Sequence, residues 1–165
     1  MSRGDMSPRK LARYFISYAQ VDAPLVDDLI VRISPHLAAS KRYEFIKWRN
    51  TADLLVGEDW DDAVVAALNT CRLGLLLLSP TFMVRPYILT TELPRLREPD
   101  KLALPVLLKP IAFDLQDALG LEKLQIFALT VKHERRAYAE LSAGKRDEFA
   151  FELYKAIEAR LARDF

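Results

Sequence analysis

The stretch Leu73-Gly74-Leu75-Leu76-Leu77-Leu78-Ser79-Pro80 decides the fold of this chain. An apolar run without interruption stops abruptly at Ser-Pro. A strand exposed on one face alternates apolar and polar side chains, so an unbroken run reads as a strand buried on both faces. Such strands sit at the centre of a parallel sheet. Downstream lies Ile88-Leu89-Thr90-Thr91-Glu92-Leu93, with a single acid in it. This segment follows the point where the strand leaves the sheet. The carboxyl edge of an open α/β sheet is where ligands bind. Glu92 is therefore a carboxylate near the expected functional edge.

Working outward, strand-like segments at 13–18, 43–48, 104–108 and 124–129 join 73–79 at intervals of about 30 residues, the length of a β-α unit. The segment at 43–48 partly alternates and suits a place near the sheet edge. Asp22 is positioned to cap a helix entered at Pro24. Val26, Leu29, Ile30, Ile33 and Leu37 mark its buried face, and Ser34-Pro35 predicts a kink or an early end. A second helix starts near Trp60, with Val64, Ala67, Leu68 and Cys71 on the same side and Glu58 and Asp59 at its start. A short helix is expected around 87–93, between prolines 86, 94 and 99. A loop with one helical turn is expected at 112–123. Phe149, Leu153, Ile157 and Leu161 define a last helix over about residues 145–163. Alternating strands and helices predict a three-layer α/β sandwich with a parallel sheet. Residues 1–12 read as a flexible lead-in and 13–165 as one domain.

The chain of 165 residues is long enough for one full core, and its 51% hydrophobic and 28% charged content is that of a globular domain. A net charge of +1 gives no electrostatic case for nucleic acid or an anionic membrane surface. The single cysteine, Cys71, rules out an intrachain disulfide framework. No apolar run approaches the roughly 18 residues of a membrane span. With no signal-peptide pattern, the expected location is cytoplasmic.

Several chemistries lack their motifs. The five glycines form neither Gly-x-Gly-x-x-Gly nor a Walker loop. His36 and His133 have no ligand-like neighbours, so no metal site is expected. Ser17 and Ser79 lack the Gly-x-Ser-x-Gly context of a hydrolase nucleophile.

Three segments in register resemble a known family. They are Phe15-Ile16-Ser17-Tyr18 on the first strand, Gly57-Glu58-Asp59-Trp60 closing the loop after the second, and Ser79-Pro80 ending the third. Their order and spacing resemble a Toll/interleukin-1 receptor (TIR) domain, closely over residues 13–111 and loosely beyond. The resemblance implies a flavodoxin-like sandwich with a five-stranded parallel sheet in the order 2-1-3-4-5. It also implies two functional classes. One consists of adaptors that associate with other TIR domains through the long loop, here from Asn50 to Gly57. The other cleaves NAD⁺ at the nicotinamide–ribose bond, releasing ADP-ribose or a cyclised form, after self-assembly. In that class NAD⁺ is the substrate, no prosthetic group is used, and the domain is commonly attached to a sensor. A deoxyribosyltransferase-like nucleotide binder, which also uses a glutamate, is a more distant α/β alternative.

Glu92 matches the catalytic glutamate of the NAD⁺-cleaving class. By position the resemblance puts Tyr18 and Ala19 beside the ribose and diphosphate. Trp48, Arg49 and the loop through Leu55 would face the nicotinamide or adenine, with Arg49 on a phosphate. Ser79 and Phe82 would form the pocket floor. Many members carry Trp-x-x-x-Glu; here Ile88 stands at the tryptophan position, and Tyr87 is the nearest aromatic.

Overall fold

The computed structural model describes residues 8–48 and 60–165. Its core is a four-stranded parallel sheet built from β1 (Lys10–Ser17), β2 (Tyr43–Lys47), β3 (Leu73–Leu78) and β4 (Leu102–Leu107), in the order β2-β1-β3-β4. β1 starts at Lys10 because Lys10, Leu11 and Ala12 already pair with Tyr43, Glu44 and Phe45.

Every residue of β3 is buried. The period of two explains how an unbroken apolar run is used. Leu73, Leu75 and Leu77 join the core formed with α1 (Ala23–Ala38) and α4 (Ala143–Asp164). Leu76 and Leu78 join the opposite core, with Ala67 and Leu68 of α2 (Trp60–Thr70) and Leu93 and Leu96 of α3 (Leu93–Leu96). Gly74 sits where the second layer approaches closely. A Cβ built there would lie 2.7 Å from Cδ2 of the fully buried Leu96. Leu96 cannot retreat toward solvent, so Gly74→Val is expected to cost about 1–3 kcal/mol of stability in urea unfolding. The close approach matters for function, because Leu96 lies one turn beyond Glu92.

The expected fifth strand at 124–129 is reduced to one parallel bridge between Val106 and Phe127. Phe127 donates its N–H to Pro105 O, and Leu107 donates to Phe127 O, both at 2.8 Å. Extending this ladder toward the N-terminus needs an N–H at residue 105, which proline lacks. In the other direction Lys109 N–H is turned inward to Leu78 O at 3.1 Å. Leu129 instead opens an antiparallel hairpin of β5 (Leu129–Val131) and β6 (Glu134–Arg136). Lys132 and His133, both at positive φ (51° and 70°), form its two-residue turn, the geometry that matches strand twist.

Two helix expectations are also corrected. α1 continues through Pro35 to Ala38, so of the kink or early end expected at Ser34-Pro35 the early end does not occur. Asp22 stands at the N-cap position, yet its carboxylate makes no cap hydrogen bond. That carboxylate is engaged elsewhere, as described below. The Asn50 to Gly57 loop, with Glu58 and Asp59, lies outside the described residues.

Candidate active site

The carboxyl edge of the sheet is organised around two buried acids. Asp22 is fully enclosed. Its Oδ2 accepts a hydrogen bond from Ser79 Oγ at 2.5 Å, and Lys109 Nζ lies 2.5 Å from Oδ1 as a charge contact. Ser79 Oγ also accepts from Phe82 N–H at 3.1 Å. This network ties the exits of β1, β3 and β4 together. It engages both hydrogen-bonding roles of the Ser79 hydroxyl and pairs the Asp22 carboxylate with Lys109, and Phe82 is wholly buried in the core beneath. Ser79 and Phe82 are thus supports of the edge and do not line the cavity that holds Glu92.

Glu92 ends a π-helical turn, Ile88–Glu92, that continues directly into α3. Leu93 N–H reaches back five residues to Ile88 O. In an α-helix, with 3.6 residues per turn, a residue five positions before Glu92 would point away from it. The wider π turn brings Tyr87 back to the side of Glu92, and such turns recur at functional sites. Tyr87, Ile88 and Glu92 accordingly share one cavity with Tyr18, Ala19, Gln20 and Arg85, about 200 Å³ in volume. Tyr87 also donates its hydroxyl to Asp61 Oδ1 of α2 at 2.8 Å. Burial, and next the Asp61 carboxylate, raise the Tyr87 pKa, so the ring stays neutral and its O–H remains a donor.

Glu92 is only 9% exposed. Burial pushes its carboxyl pKa from 4.5 up to about 7, opposed by the nearby Ser17 hydroxyl. Ser17 Oγ is itself buried and makes no aligned hydrogen bond. A half-ionised acid at neutral pH, beside a hydroxyl with spare hydrogen-bonding capacity and opening to a cavity, is a poised functional group. The cavity is smaller than the roughly 300–1,000 Å³ of whole-ligand sites. A larger cavity, about 640 Å³, lies against β4 and α4 and is lined by Phe127, Arg135 and Arg160 among others, but no carboxylate of the described residues borders it. The chemistry therefore points to the smaller one. Among the described residues no group of three or more His, Cys, Asp or Glu is placed to hold a metal ion.

Of the residues singled out from sequence, Tyr18, Ala19, Ile88 and Glu92 meet in this cavity. Trp48 does not. It stacks on Phe15 with ring centroids 5.3 Å apart and lines a second cavity with Thr70 and Cys71. Arg49 and Leu55 lie outside the described residues. Gln20 and Arg85 were missed. Gln20 had a signal, a polar side chain three residues past the end of β1; Arg85, seven residues past the end of β3, was marked only by the Pro86 that follows it.

A doubly covered parallel sheet with a buried carboxylate in a cavity at its carboxyl edge defines an α/β domain of the flavodoxin-like class. The sequence pattern of the TIR domain matches residues 15–157, so the chain belongs to the TIR domain family. No curated protein matches the chain. No described helix is long and apolar enough to cross a membrane.

Proposed function

We propose that this TIR domain hydrolyses NAD⁺ at the nicotinamide–ribose bond, with Glu92 as the catalytic residue. The observation that carries the reading is the Glu92 carboxyl itself, buried, raised to about 7 and facing a cavity of about 200 Å³. As the C1′–N bond breaks, its electron pair goes to the cationic nicotinamide nitrogen and a neutral base leaves. No proton has to reach the leaving group, so the second carboxylate of a glycosidase is dispensable. The ribose develops oxocarbenium character, which an ionised Glu92 stabilises in a site of low dielectric. Water then adds to C1′, and its proton passes to the carboxylate and on to solvent. The products are nicotinamide and ADP-ribose; attack by the adenine in place of water would give a cyclic product. Tyr87 and Ile88 supply the walls of the ring site, Gln20 supplies hydrogen bonds for the sugar, and the buried Ser17 hydroxyl stands behind the Glu92 carboxyl.

Family membership supports association with other TIR domains. We assign that contact to the loop from Asn50 to Gly57, and the setting to assembly-activated immune or antiphage signalling in the cytoplasm. The test is to incubate the protein with NAD⁺ over a range of protein concentrations and quantify nicotinamide. Release per protomer is expected to rise with concentration. No release from an assembled sample would leave the adaptor role, and equal specific activity in dilute monomer would remove the requirement for assembly.

A further inference from the structure

Arg85 is the cation of the Glu92 cavity, and its circumstances differ from those of its neighbours. Lys109 faces Asp22, and Arg95 donates to Thr91 O at 2.9 Å. The Arg85 guanidinium is exposed and has no hydrogen bond or ion pair with any described residue. Its backbone, by contrast, is fixed. Pro86 restricts the preceding residue to extended geometry, and Arg85 sits there at φ −80° and ψ 114°. Its carbonyl accepts from Leu89 N–H at 3.1 Å, which anchors it to the helical turn carrying Glu92.

The cavity lining therefore carries a buried acid, Glu92, and an exposed cation, Arg85, that no described residue engages. It matches a ligand with a cationic centre on a sugar and an anionic group beyond that sugar. We infer that Arg85 anchors the diphosphate of the dinucleotide and so selects nucleotides over nucleosides. This rests on the proposed NAD⁺ chemistry, and it gives the phosphate role to a residue on the same chain segment as the catalytic acid. The planar guanidinium suits this task because it offers two parallel N–H donors to a phosphate. Having no partner among the described residues, it gives up none of their ion pairs on binding.

The inference can be read without turnover. In the Glu92→Gln protein, binding of NAD⁺ and of nicotinamide riboside, which lacks phosphate, is measured by calorimetry. Adding Arg85→Ala is expected to weaken NAD⁺ binding at least about tenfold, the range of a charge-assisted hydrogen bond. The riboside is expected to weaken less than about twofold, and Arg85→Lys to recover part of the NAD⁺ affinity. In the otherwise unaltered protein, Arg85→Ala is expected to raise KM for NAD⁺ far more than it lowers kcat. Equal weakening of both ligands, or of neither, would overturn the assignment. Failure of the Glu92→Gln protein to bind either ligand would sink the NAD⁺ reading itself, and the role of Arg85 with it.

Discussion

Glu92→Gln is expected to lower nicotinamide release by at least about 10²–10³-fold, the usual scale for losing a preorganised electrostatic stabiliser. Gln is nearly isosteric and hydrogen-bonds, but it carries no charge to meet an oxocarbenium-like ribose. Glu92→Ala is expected to be as inactive, because the negative charge is what matters. Activity of the unaltered protein should depend on pH in a matching way. The ionised carboxylate is the active form and its pKa is about 7. Below that value kcat/KM should fall about tenfold per pH unit, and above it the profile should level off. Release that persists in both variants would take Glu92 out of its assigned role.

The second large effect is on stability, and it runs the opposite way. The Glu92 carboxyl titrates near 4.5 when unfolded and near 7 when folded. Between these values the folded state holds the extra proton, so stability falls as pH rises from about 4.5 to about 7. Above pH 7 the burial of the charge costs about 3 kcal/mol in full. Gln removes that cost. Glu92→Gln is therefore expected to match the unaltered protein near pH 4 and to exceed it by about 3 kcal/mol at pH 8. For a domain of this size that is roughly 6–12 °C in Tm. Thermal unfolding at the two pH values reads the difference directly. A variant equally stabilised at both would show that packing, not charge burial, is the cause. Higher stability with lost activity would also exclude misfolding as the reason for inactivity.

The centre of the sheet was legible because burial on both faces leaves a mark in composition: β3 has no polar side chain to hide. Glu92 was legible for the converse reason, as the lone acid in an otherwise uncharged segment. The fifth strand was misread because 124–129 is apolar enough to pair. What stops it lies on the partner strand, where Pro105 has no N–H to give, and in the inward turn of Lys109 N–H. Asp22 looked like a cap because caps are read from local spacing. Its actual partners, Ser79 and Lys109, are 57 and 87 residues away in sequence, a contact that only tertiary structure creates. The family resemblance places Ser79, Phe82 and Trp48 at the site by position alone. The distinction between lining a cavity and supporting it depends on side-chain direction, which strand position alone does not specify.

The π turn at Ile88–Glu92 has a consequence for how relatives of this domain are to be sought. A search that demands an aromatic four places ahead of the acid finds Ile88 and discards the chain. Winding the backbone one residue wider makes five places equivalent to four, and it is Tyr87 that brings an aromatic ring to the cavity of Glu92. A signature for this pocket should accordingly allow a one-residue slip, because the spacing that counts is around the helix axis and not along the chain.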